Sequence, residues 1–178
     1  FWPSALLTLA SHLRSAPLER VLRALQERDL VRPSERAAGL AAPPGEEVYT
    51  FNHALTREVV YSSIPRARRA HEHLRIAEWL ERQVRDKPEE FAFTELLAQH
   101  YYRYYVQANL ARANNRERRR SMRGKVTRYL LLAGDQSVTR HALTKADGYY
   151  SDALSLLGDD GLREDAPRGV ALLMRRGA

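Results

Sequence analysis

Residues 47–64 constrain this chain most. Glu47-Val-Tyr-Thr-Phe51 alternates like a strand, with Val48 and Thr50 on one face and Tyr49 and Phe51 on the other. The chain then turns within two residues into Ala54–Ile64, where Leu55 and Val59 lie four apart and Tyr61 and Ile64 three apart, the spacings of a helix. His53 stands at the mouth of that helix. Amide groups there lack intrahelical partners and the dipole is positive, so an anion is favoured. A His that caps the helix or meets a core polar group is the plainer reading.

Upstream, Pro3 opens a predicted helix over 3–14 carrying Leu6, Leu9 and Leu13. Pro17 opens a second over 17–29, with Leu18, Val21, Leu22 and Leu25 as its stripe. Leu30-Val31-Arg32 reads as a short strand, and the Pro- and Gly-bearing stretch 33–46 as a loop. Helix, helix, strand, loop, strand is the ending of a winged helix whose first helix is missing. The chain starts mid-pattern without Met and so reads as a piece of a longer protein.

Downstream, the pattern is helical. Residues 66–86 place Ala70, Leu74, Ala77, Leu80 and Val84 on one face, with Trp79 beside it. Lys87-Pro88-Glu89-Glu90 breaks the helix, and 91–108 is apolar on several sides with tyrosines at 101, 102, 104 and 105. Their spread around the helix sends at least two inward; stacking on bases is the alternative. Residues 109–120 read as a polar inter-helix loop with a break at Asn114-Asn115. Residues 123–140 and 142–157 read as a helix pair around His141. Gly161–Ala178 reads as the start of a further helix.

Composition narrows the chemistry. The 178 residues are 44% hydrophobic, enough for a core in one ordinary domain or two small ones. With no Cys, disulfides and thiolate metal sites are excluded. No apolar run reaches the roughly 20 residues of a membrane span, and no signal peptide is visible. Net charge is +7, and of 29 Lys and Arg only three are Lys. Such Arg dominance is more often a mark of a GC-rich bacterial genome than of nucleic-acid binding, though Arg suits either. Arg116–Arg120, with Arg112 and Arg123 nearby, is the strongest basic cluster. Arg116, Arg118, Arg119 and Arg120 are candidates for nucleic acid or an acidic partner, against a solvated loop. In a DNA-binding winged helix, residues 17–29 would enter the major groove. Arg20 and Arg23 are the candidates there, but Glu19, Glu27 and Asp29 make the surface mixed in sign. His71 and His73, two apart, share no helix face and make no metal pair. His100 reads as structural. Glu58 has no nucleophile or base in triad order, and no catalytic constellation is visible.

Gly134, Ala146, Tyr150 and Ala153 fall where a tetratricopeptide repeat has small and aromatic residues. Leu130 stands where that repeat has Trp, Ser137 replaces an aromatic, and Gly158 replaces the closing Pro. Taken in order, FWPSALLTL, VLRALQERDLVRP, YTFNHALTREVVYSSIPRARRAHEHLRIAEWLE, ELLAQHYYRY, YLLLAGDQSV and ADGYYSDALSLL resemble bacterial signal-transduction ATPases of the STAND class over roughly residues 1–157. The resemblance implies a mainly α chain with three segments. Residues 1–64 would be a truncated winged helix with a small β-hairpin, 65–120 a helical linker, and 121–178 the first antiparallel tetratricopeptide-like pairs. It implies an upstream nucleotide-binding domain, since no GxxxxGK[ST] loop is present here, and further helical repeats downstream. ATP or ADP would be the parent's cofactor, a protein or small molecule its inducer, and the cytoplasm its compartment. This region itself would not be catalytic. FNHAL resembles the Met-His-Asp motif of related NLR-type ATPases, whose His contacts the nucleotide β-phosphate in the closed ADP state. That role carries over to His53 alone, because Asn52 and Ala54 replace the Met and the Asp. The alternatives are a DNA-binding winged-helix regulator and a helical protein-interaction scaffold.

Overall fold

A computed structural model describes residues 1–10, 15–34, 46–85, 91–108 and 116–164. Its elements are α1 (Pro3–Leu9), α2 (Ser15–Glu27), β1 (Val31–Pro33), β2 (Tyr49–Phe51), α3 (Ala54–Ser63), α4 (Arg66–Arg85), α5 (Phe91–Gln107), α6 (Arg116–Thr139) and α7 (Leu143–Glu164). The described chain is therefore mainly α, with one two-stranded antiparallel hairpin. It forms two compact units, Phe1–Phe93 and Thr94–Ala178. Among the described residues no helix is long and apolar enough to cross a membrane.

In the first unit, β1 and β2 pair with Val31 opposite Phe51, Arg32 opposite Thr50 and Pro33 opposite Tyr49. Pro33 at the strand end removes no interior ladder donor. Phe1 and Tyr49 exchange backbone hydrogen bonds of 2.7 and 2.8 Å. The stripe expected on α2 supplies Leu18 and Leu22, which pack with Val31 and Tyr49; Phe1, Leu6, Leu25 and Phe51 close around them. Val21, expected in that stripe, is instead exposed. Helix α2 begins two residues before Pro17, which occupies its first turn.

Helix α1 packs on α4. Trp2 and Trp79 meet at 6.0 Å between centroids. Arg75 of α4 donates from Nη1 to the Leu9 carbonyl at 2.6 Å and from Nη2 to the Thr8 carbonyl. These are last-turn oxygens that a seven-residue helix cannot satisfy internally. Ala70, Ala77, Leu80 and Trp79 are buried on α4 as expected, but Leu74 is only half-buried and His73 and Ile76 are buried in addition.

In the second unit, Leu97, Ala98, Tyr101, Tyr104 and Tyr105 of α5 are buried, so the aromatic run is chiefly core. Tyr101 stacks on Tyr129 at 5.5 Å, with the Lys125 ammonium 4.8 Å from its ring centre. Helices α6 and α7 form the expected hairpin. Val126, Leu130, Ala133, Gly134 and Ser137 are buried on α6, Ala146, Tyr150, Ala153 and Leu157 on α7, and Gly134 lies against the Tyr150 ring. His141 ends α6 in the left-handed region (φ 57). The Ala142 amide reaches back to the Ser137 carbonyl at 2.8 Å, a Schellman closure.

Three sequence expectations are corrected here. Arg116–Arg120 is not loop but the start of α6, because Arg is a strong helix former and no Gly or Pro interrupts the run. Gly158 does not close the second helix, which continues to Glu164; a glycine weakens a helix without ending it as Pro would. Gly161–Glu164, expected to start a further helix, are instead the end of α7, while Leu13, Val84, the break at 87–90, Arg112, Asn114-Asn115, residues 35–45 of the expected 33–46 loop and residues 165–178 fall outside the described side chains or residues.

Candidate functional site

Asp29 follows α2 in the left-handed region (φ 55), and Leu30 N–H returns to the Leu25 carbonyl at 2.9 Å. Asp is among the residues that tolerate this conformation. The Asn52 amide nitrogen then donates to the Asp29 carbonyl at 2.8 Å and to the Asp29 carboxylate. Asn52 N–H also reaches the Leu30 carbonyl at 3.1 Å. The residue before His53 is thus clamped to the end of α2, which fixes the entry angle of α3.

His53 is the N-cap of α3, in extended conformation (φ −123, ψ 128), and is exposed. Its side chain makes no cap hydrogen bond, and no acidic residue lies in the first turn. The helix mouth is therefore not neutralised by its own side chains, and His53 stands beside it.

Helix α3 forms where the sequence spacing places it, with its apolar residues largely exposed. Leu55 is 71% exposed, Val59 60% and Val60 48%, and no α3 residue is buried. The helix is held at its far end. Tyr61 Oη lies 2.8 Å from Nε2 of buried His73, with the rings edge to face at 5.9 Å. The Arg69 guanidinium covers the Tyr61 ring at 4.9 Å. Ile64 then takes the extended conformation that Pro65 imposes, and α4 begins. His71, by contrast, is exposed.

Arg20 and Arg23 are exposed on α2 among Glu19 and Glu27, so the mixed sign persists in space. Arg116, Arg118 and Arg120 are exposed and Arg119 half-exposed on α6, in the other unit. No cluster able to hold a metal ion occurs among the described residues.

The second unit holds a groove of about 440 Å³ that the sequence reading missed. Leu130 lies beneath it, Gln99 and Tyr102 of α5 form one wall, and Gly148, Tyr149 and Asp152 of α7 form the other. Burial raises the Asp152 carboxyl, opposed by its hydrogen bond with Tyr102. Burial likewise raises the Tyr149 phenol, opposed by the bond from Gln99. The available signal was spacing: positions 145, 148, 149 and 152 share one face of α7. Asn52 and Asp29 carried no such signal, being 23 residues apart.

No protein-family model matches the sequence, and neither a curated protein nor a solved structure shows detectable similarity to it.

Proposed function

We propose that this region is the regulatory arm and sensor portion of a nucleotide-switched signalling or transcription-regulating ATPase. The winged-helix module is residues 1–64, the linker 65–120, and a tetratricopeptide-like array starts at 121. The observation that carries the reading is the setting of His53: exposed, beside an uncapped helix mouth, on a helix whose apolar residues lack cover within their own unit. A neighbouring nucleotide-binding domain supplies that cover. Burying what remains exposed of Leu55, Val59 and Val60 against it contributes roughly 1–2 kcal/mol each before the entropy of ordering. His53 then meets the terminal phosphate of bound ADP. The α5–α7 groove has the volume of a small-ligand site and gives the sensor a place for an inducer. Inducer binding biases the switch by its differential affinity for the open and closed packings.

The test is ADP retention in the protein with its nucleotide-binding domain. His53→Ala and Leu55→Asp each release ADP faster than wild type and raise basal output. Unchanged retention in both variants rejects the proposal.

A further inference from the structure

The α5–α7 groove carries enough chemistry to name the class of its ligand. Two polar pairs cross it. The Gln99 amide nitrogen of α5 donates to Tyr149 Oη of α7 at 3.5 Å, and Tyr102 of α5 hydrogen-bonds Asp152 of α7. The walls are thereby braced before any ligand arrives, as those of small-molecule sites usually are. Buried Leu130 gives the cleft of about 440 Å³ an apolar floor.

Two acids flank the groove, and their surroundings differ. Glu95 lies beside Tyr149 and is met by Lys145 at 3.6 Å and Arg140 at 4.0 Å. Asp152 is met instead by the neutral phenol of Tyr102, and among the described residues no cation pairs with it. Asp152 is half-buried, and desolvation disfavours its charged form. An incoming cation offsets that cost. Tyr102 occupies one acceptor site of a carboxylate that has roughly four, so others stay open to a donor.

Gly148 marks where the body of a ligand fits. It lies four residues before Asp152, on the same face of α7. At Gly134 the Tyr150 ring fills the space a side chain would take, whereas a methyl group built on Gly148 meets nothing within 4 Å. Glycine inside a helix is destabilising relative to alanine, and one of its uses is to let a ligand approach the backbone closely. Tyr102 and Tyr149 stand on opposite walls beside it. Aromatic rings cover an apolar body and attract a cation to their faces.

We propose that this groove binds a small organic molecule bearing an ammonium group. The ammonium donates to the Asp152 carboxylate, and the apolar body lies over Leu130 beside Gly148, between Tyr102 and Tyr149. This rests on the groove's being the sensor's inducer site, and it names the class of that inducer. Lys145 and Arg103 line the same groove, so a free amine and an amino acid, whose carboxylate they would meet, share the chemistry.

The experiment is calorimetric titration of the 178-residue chain at neutral pH with phenethylamine, phenylalanine and phenylacetate. Wild type binds phenethylamine saturably at one site. Phenylacetate, which keeps the ring and exchanges the ammonium for a carboxylate, does not bind. Asp152→Asn weakens phenethylamine at least about tenfold, the equivalent of one charge-assisted hydrogen bond. Gly148→Leu, which puts a good helix former into the open space, abolishes binding and keeps the helices by circular dichroism. His53→Ala leaves binding unchanged. Phenylalanine at least about tenfold tighter than phenethylamine, and weakened by Asp152→Asn, identifies an amino acid as the source; the reverse order identifies a free amine. Absence of saturable binding by either amine, phenylacetate as tight as phenethylamine, or unchanged affinity in Asp152→Asn overturns the proposal. The comparison of phenethylamine with phenylacetate is made on wild type, so a variant that fails to fold does not protect the proposal. ADP release from the protein with the proposed upstream nucleotide-binding domain is then followed with and without the bound amine. Faster release supports the inducer role; unchanged release with binding intact rejects that role and leaves the amine site standing.

Discussion

Gly134 gives the sharpest test of the α6–α7 packing. A methyl group built at its Cα meets Cδ1 and Cζ of Tyr150 at 2.8 Å, with Cε1 closer still. The Tyr150 ring is buried, and its hydroxyl donates to the Asp135 carboxylate at 2.8 Å. It cannot swing away without opening the helix contact or breaking that bond. Overpacking costs about 1–3 kcal/mol, and the lost hydrogen bond about 0.5–1.5 kcal/mol. Replacing Gly by Ala inside a helix returns about 0.5–1 kcal/mol. Gly134→Ala is therefore destabilising by a net of about 0.5–4 kcal/mol. Gly124 and Gly148 lie in the same two helices, and a methyl group there meets nothing within 4 Å. Gly124→Ala and Gly148→Ala keep only the propensity gain and stabilise by about 0.5–1 kcal/mol each. Urea denaturation followed by far-ultraviolet circular dichroism measures all three. Combining Gly134→Ala with Tyr150→Leu in a double-mutant cycle isolates the contact, and the second change relieves part of the first. If Gly134→Ala is as stable as wild type, the close approach of α6 and α7 at this point is wrong.

His141 holds a left-handed conformation that Gly adopts without cost, so His141→Gly raises stability by about 0.5–1 kcal/mol in the same denaturation assay. Tyr61→Phe removes the partner of buried His73 and lowers stability by about 1 kcal/mol; an unchanged urea midpoint would mean that this bond does not anchor α3. Asp152 has a raised folded-state pKa, so the folded state holds more protons than the unfolded state between the ordinary value of 3.8 and the raised one. Its contribution to stability is greatest below that window and is lost as pH rises through it. Asp152→Asn is therefore more stable than wild type at neutral pH, and the difference shrinks as pH falls; a difference that grows on acidification contradicts the assigned cause.

Local signals were legible in the sequence where a single element sufficed. Leu18 and Leu22, the Tyr49–Phe51 strand and the turn at His141 all follow from periodicity or residue type, and Gly134 was legible as a small contact residue, though not its contact with Tyr150. Periodicity told less about α3, because spacing shows that apolar residues share a face but not whether anything covers it. Leu55 and Val59 keep their spacing and remain exposed. The start of α6 was missed because charge suggested solvent and was read as loop, although exposed Arg side chains suit a helix surface. Burial of His73 depends on Tyr61, twelve residues away, and the clamp on His53 depends on Asn52 reaching Asp29 across the hairpin. Such long-range pairs leave no pattern in one sequence. His53 itself was legible as a helix-mouth residue, while its exposure and lack of a cap bond were not.

The proposed contact of His53 with a nucleotide phosphate is read out by nucleotide content. The protein is purified with the proposed upstream nucleotide-binding domain, without added nucleotide, and the bound nucleotide is quantified by chromatography after denaturation. Wild type is expected to carry ADP in near-stoichiometric amount and His53→Ala much less, with unchanged helix content. Equal ADP in the two proteins, or nucleotide in neither, would contradict it.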